Sequence, residues 1–75
     1  MISYAPLRKI LKERHISTYY LRTKCGNLNI DAKTIHNLMT DQSVTTYTLD
    51  KLCQILECDL SEIAVFVKDT NKNRV

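Results

Sequence analysis

The 75-residue sequence contains one glycine, one proline, one phenylalanine and no tryptophan. A single glycine excludes a glycine-rich phosphate loop, and so few breakers favour a compact helical chain over a turn-rich β protein. No apolar run is long enough to span a membrane. The opening residues lack a charged stretch followed by an apolar core, so no secretion signal is expected. Cys25, Cys53 and Cys58 form no CxxC motif, and His15 and His36 lie far from the Cys53/Cys58 pair. The spacing of that pair is not a common zinc-ligand spacing. Small buried hydrophobes in a reducing, cytoplasmic setting account for all three cysteines. No cluster of His, Cys or carboxylate converges, so neither an enzyme, a bound metal, a cofactor nor a small-molecule site is expected. A chain this short is one domain and buries only about 60% of its unfolded surface, which leaves little room for a large catalytic pocket.

What is present is a modest but uneven charge. The formal net charge is +3. Residues 1–40 carry Arg8, Lys9, Lys12, Arg14, Arg22, Lys24 and Lys33 against Glu13 and Asp31, a local balance of +5. Residues 41–75 carry Lys51, Lys68, Lys72 and Arg74 against Asp41, Asp50, Glu57, Asp59, Glu62 and Asp69, a local balance of −2. One half can face a polyanion while the other faces away. On charge alone, two solvated faces are the favoured explanation.

Periodicity predicts five short helices. Met1–Tyr4 alternates apolar and polar residues and reads as an extended arm. Pro6 suits the first turn of a helix, and Leu7, Ile10 and Leu11 follow at helical spacing to about Arg14 or His15. Ser17 is an N-cap for a second helix over 18–25, which Gly26 closes. Asp31 caps a third over 32–39, with Ile35, Leu38 and Met39 inward. Thr45 or Thr46 caps a fourth, through Glu57, with the stripe Leu49, Leu52, Cys53 and Leu56. Asp59 and Glu62 resemble a capping box for a fifth, starting at Leu60 and using Ile63, Ala64 and Val67 inward. Val65-Phe66-Val67 is β-branched and aromatic enough to run extended instead. Tyr4 and Tyr20 read as half-buried core. Residues 1–68 form the domain, and 69–75 read as a flexible polar tail.

The second and third helices, joined across a glycine turn, form a unit with a polar outer face. Leu21, Ile35 and Leu38 lock the pair. With Ile16-Ser17, Gly26, Thr34-Ile35 and the closing stretch Thr48–Cys58, residues 4–67 resemble the Cro/lambda-repressor family of helix-turn-helix DNA-binding domains. The resemblance implies an all-α, five-helix lambda-repressor-like fold and a cytoplasmic, sequence-specific regulator of transcription. Repression is the expected sense. Family members usually place a shorter stretch between the turn glycine and the recognition-helix Ile than the eight residues between Gly26 and Ile35. They also favour Ala where Arg22 stands. Both departures fit a longer, looser turn.

The resemblance further implies double-stranded DNA as partner, read by the outer face of 32–39 on a homodimer. Ala32, Lys33, His36 and Asn37 are the candidate base contacts. Lys33 can donate to guanine, Asn37 can pair bidentately with adenine, and Ala32 can touch a thymine methyl. Candidate phosphate contacts are Ser17, Thr18, Tyr19, Arg22 and Lys24 around the second helix, then Thr34, Thr40, Gln42, Ser43, Thr46 and Tyr47 around the third and fourth. The apolar segment Ala64–Val67 and the N-terminal arm are the candidates for dimer formation. A protein-interaction module, or an antitoxin component, on the same fold is the second reading.

Overall fold

The computed structural model describes residues 1–68; the expected tail lies outside the described residues. The elements in chain order are β1 (Ile2–Ser3), α1 (Ala5–Glu13), α2 (Thr18–Thr23), a 3-10 turn (Gly26–Leu28), α3 (Ala32–Met39), α4 (Thr46–Leu56), a second 3-10 turn (Leu60–Glu62) and β2 (Val65–Phe66).

The helix starts follow from local chemistry. Ser17 accepts a hydrogen bond from the Tyr20 N–H at 3.1 Å, and Thr45 accepts one from the Thr48 N–H at 3.2 Å. Each hydroxyl cap contributes about 1 kcal/mol. Asp31 accepts from the Thr34 N–H at 3.4 Å and from the Thr34 hydroxyl at 2.7 Å.

Three of the helix ends share one device. His15, Asp41 and Glu57 adopt left-handed backbone at φ of 56°, 58° and 53°. The N–H of the next residue then reaches back into the helix in each case: Ile16 to the Leu11 carbonyl, Gln42 to Asn37 and Cys58 to Cys53. These bonds satisfy carbonyls that the helix leaves without partners. Glycine takes this conformation without strain, but the one glycine of the chain is used elsewhere.

Two expectations are corrected here. First, α2 stops at Thr23, short of Cys25, and Gly26, at φ 62°, opens the 3-10 turn instead of capping the helix. The side chain of Asn29 accepts the Cys25 N–H at 2.7 Å, which diverts the donor that would extend α2. Second, the fifth helix is reduced to the turn Leu60–Glu62, and Asp59 makes no side-chain cap. The chain then runs extended, and β2 pairs antiparallel with β1, Ile2 opposite Phe66 and Ser3 opposite Val65. Ile63 is buried and Ala64 half-buried as expected, but Val67 is exposed.

The core takes Leu7 and Leu11 from α1, Leu21 from α2, Ile35 and Leu38 from α3, Leu52 and Leu56 from α4, and Tyr4, Ile30 and Ile63 from between the helices. All three cysteines are half-buried against it. Burial pushes the Cys25 and Cys58 thiols above their usual range. Tyr20, expected as half-buried core, is 44% exposed because the shortened α2 turns only Leu21 fully inward, whereas Tyr4 is buried.

One ion pair ties α1 to the end of α3. Asp41 accepts from the Arg8 guanidinium at 2.9 Å and from the Tyr4 N–H, at the start of α1, at 2.8 Å. The same guanidinium donates to the Leu38 carbonyl at 3.0 Å, where a cation suits the helix dipole. The Arg8 hydrogen bonds, then the Tyr4 N–H, hold the Asp41 carboxyl below its ordinary value of 3.8. A depressed carboxyl stabilises the fold fully at neutral pH, and that contribution is lost as pH falls below about 4. Asp41→Asn is therefore expected to lower the melting temperature at pH 7 but to flatten its decline on acidification. Parallel melting curves across pH 2–7 (roughly the range over which carboxylates titrate) check this, and parallel acid limbs in the two proteins would contradict it.

Candidate nucleic-acid interface

α3 divides cleanly into two faces. Ile35 and Leu38 are buried, whereas Ala32, Lys33 and His36 are exposed and Asn37 is half-buried. The Lys33 ammonium forms no ion pair among the described residues. Its neighbour Thr34 differs, because its hydroxyl donates to Asp31. A phosphate contact from Thr34 would have to compete with that bond.

The C-terminal end of α3 is built into the loop that follows it. Asn37 accepts the Gln42 N–H at its backbone carbonyl, 2.8 Å, and its side-chain amide donates to the Ser43 carbonyl at 3.4 Å. The Thr40 hydroxyl donates to the His36 carbonyl at 2.8 Å. The loop therefore brings Thr40, Gln42 and Ser43 beside the outer face of α3. It leads to the exposed Thr46 and Tyr47 at the start of α4.

A second polar cluster surrounds the start of α2. Ser17, Thr18 and Tyr19 are exposed. The Arg22 guanidinium and the Lys24 ammonium lie over the Tyr19 ring, 5.8 and 5.9 Å from its centre. Both distances fall within cation–π range, which holds two positive charges at one corner of the domain.

The long turn between α2 and α3 is not loose. Ile30 is buried and donates its N–H to the Leu21 carbonyl at 2.9 Å. The Lys51 ammonium of α4 reaches the Asn29 carbonyl at 2.9 Å and lies 5.1 Å from the centre of the Tyr47 ring. The extra residues form an anchored 3-10 turn, so α3 is fixed against α2 despite the added length.

The geometry also sorts the positive charges of residues 1–40. Arg8 is paired with Asp41, Lys9 lies 4.0 Å from Glu13, and Arg14 donates to the Leu56 carbonyl at 2.7 Å. Arg22, Lys24 and Lys33 remain presented on the helix-turn-helix unit, with Lys12 exposed on α1. Against them stands Asp31, at the front of α3. Its carboxyl is held below its ordinary value, first by the Thr34 hydroxyl, so the group is ionised at neutral pH.

This arrangement coincides with a known family. Residues 6–69 match the Cro/C1-type HTH DNA-binding domain. The chain belongs to that family. The Cro/C1-type fold also extends to solved structures. The crystal structure of the transcriptional regulator VanUg, Form II, shares 26% sequence identity with a TM-score of 0.78, over 91% of this chain and 87% of that one. No curated protein matches.

Three residues that organise the Cro/C1-type surface escaped the sequence reading. Asp31 reads there only as a cap, although it is exposed and sets a negative charge at the start of α3. Asp41 reads as one more acid in a polar loop. Lys51 falls in the acidic half, and its spacing of four from Tyr47 on α4 was the one signal that could have placed it.

Proposed function

We propose that the protein is a sequence-specific regulator of transcription that binds double-stranded DNA and represses. α3 enters the major groove, with Ala32, Lys33, His36 and Asn37 toward base edges. Ser17, Thr18, Tyr19, Arg22 and Lys24 take phosphates on one side of it. Thr34, Thr40, Gln42, Ser43, Thr46 and Tyr47 take them on the other. The reading rests on one observation above all: within a chain of the Cro/C1-type family, the outer face of α3 is polar, exposed and carries a lysine with no ion pair among the described residues. The regulator acts in the cytoplasm, without catalysis, as a homodimer on a pseudo-palindromic site. Half-sites then lie about 34 Å apart, or a multiple of that. Residues 1–68 are the binding domain, and 69–75 follow it as a polar tail.

Selection of bound duplexes from a random pool tests this. The expected result is an enriched two-fold-related sequence with a helical-turn spacing. Affinity for it should fall at least tenfold between low and moderate salt, because phosphate neutralisation releases counterions. A pool that stays unenriched at low salt would sink the proposal and favour a protein-interaction module.

A further inference from the structure

A cluster of exposed apolar side chains gathers at the two-stranded sheet and the turn before it. Met1, Ile2, Leu60, Val65, Phe66 and Val67 are each between 41% and 71% exposed. Together they present on the order of 500 Å² of apolar surface, the upper end of what a monomer leaves bare. Beside them is an open groove of about 460 Å³ between the two-stranded sheet, the 41–44 loop and Leu49 of α4. Phe66, 71% exposed, stands at its rim opposite Ile2.

We propose that this groove and ribbon seat a second copy of the same chain, so that the dimer closes here. The proposal rests on the dimeric reading above and names its surface. Four observations favour a second copy as occupant. The patch carries both a projecting ring and a groove, so a two-fold axis lets Phe66 of each copy enter the groove of the other. Its area supplies most of the ~800 Å² per partner that a standard interface needs. The one charged side chain in the groove, Asp41, already holds Arg8 and the Tyr4 N–H, so covering it strands no unpaired charge. Finally, the groove wall includes Gln42 and Ser43 of the loop that follows α3. A copy seated there is continuous with the proposed DNA surface and sets the two α3 helices side by side. The sequence beyond the sheet, Asp-Thr-Asn-Lys-Asn-Arg-Val, is too polar to fill an apolar groove. A small molecule in the groove would leave Met1 and Val67, outside its lining, uncovered.

Sedimentation of the full chain without DNA, from about 1 to 100 μM, tests the surface. The wild type is expected to dimerise. Phe66→Glu should raise the dissociation constant at least tenfold while the circular-dichroism melt stays within a few degrees, since the ring is exposed. Should Phe66→Glu unfold, Leu60→Gln makes the same test at the other side of the patch. A wild type that stays monomeric over the whole range overturns the proposal, including one that takes up an apolar dye at the groove. So does a dimer whose affinity neither substitution changes. A dimer that the substitutions weaken but that binds no DNA upholds this surface and removes only the proposed function; DNA binding by a protein monomeric throughout removes this surface alone.

Discussion

Lys33→Ala is expected to cut the preference for the selected duplex over random duplex by about thirtyfold or more, read by competition binding. The lysine is exposed and forms no ion pair among the described residues, so its loss leaves the fold untouched. A base contact of this kind is worth about 1–3 kcal/mol per half-site, and a dimer makes it twice. Binding to random duplex should weaken far less, because that binding is set by phosphates. Asn37→Ala is expected to act in the same direction with one complication. Its amide also donates to the Ser43 carbonyl, so part of the effect arrives through the loop. A melting curve separates the two parts. If Lys33→Ala weakens specific and random duplex by the same factor, Lys33 is a phosphate contact and the groove-facing surface has been rotated wrongly about α3.

Leu38→Ala is expected to destabilise the domain by about 2–5 kcal/mol, through lost burial and the cavity left behind. Leu38 is fully buried in the same core cluster as Leu7, Leu11 and Leu21. A small domain holds only about 5–15 kcal/mol in total, so this one change removes a large share. The melting temperature should fall by at least about 10 °C. DNA binding should disappear at the temperature where the fold does, and not below it. A melt within a few degrees of wild type would mean that the α3 packing has been misassigned.

Much of this fold is legible because its causes are local. Ser17, Asp31 and Thr45 announce helix starts through side-chain oxygens that reach N–H groups two or three residues on. The stripe of α4 and the pair Ile35 and Leu38 announce which faces turn inward. The failures come from partners far away in sequence. Asp59 and Glu62 have the spacing of a helix start while Val65-Phe66 reads either way, and only Ser3 and Ile2, at the far end of the chain, decide for a strand. Arg8 and Asp41 carry no mark of each other at a separation of 33. Left-handed backbone at His15, Asp41 and Glu57 is hidden because glycine, its usual sign, is absent from all three positions. At the candidate interface, sequence nominates the side chains of α3 well. It does not tell which ones are already engaged, as Thr34 is by Asp31 and Asn37 by Ser43.

The antiparallel ribbon joins residues more than 60 apart, with Val67 donating to the Met1 carbonyl at 2.7 Å. Closing so long a loop costs entropy that local helix formation does not face. During synthesis, β1 therefore emerges first and waits unpaired until β2, the last described element, leaves the ribosome. By then the four helices can already have packed. The apolar patch that the ribbon completes is thus assembled last. On the proposed dimer surface, pairing between copies therefore follows closure of the ribbon, after the helix-turn-helix unit has formed.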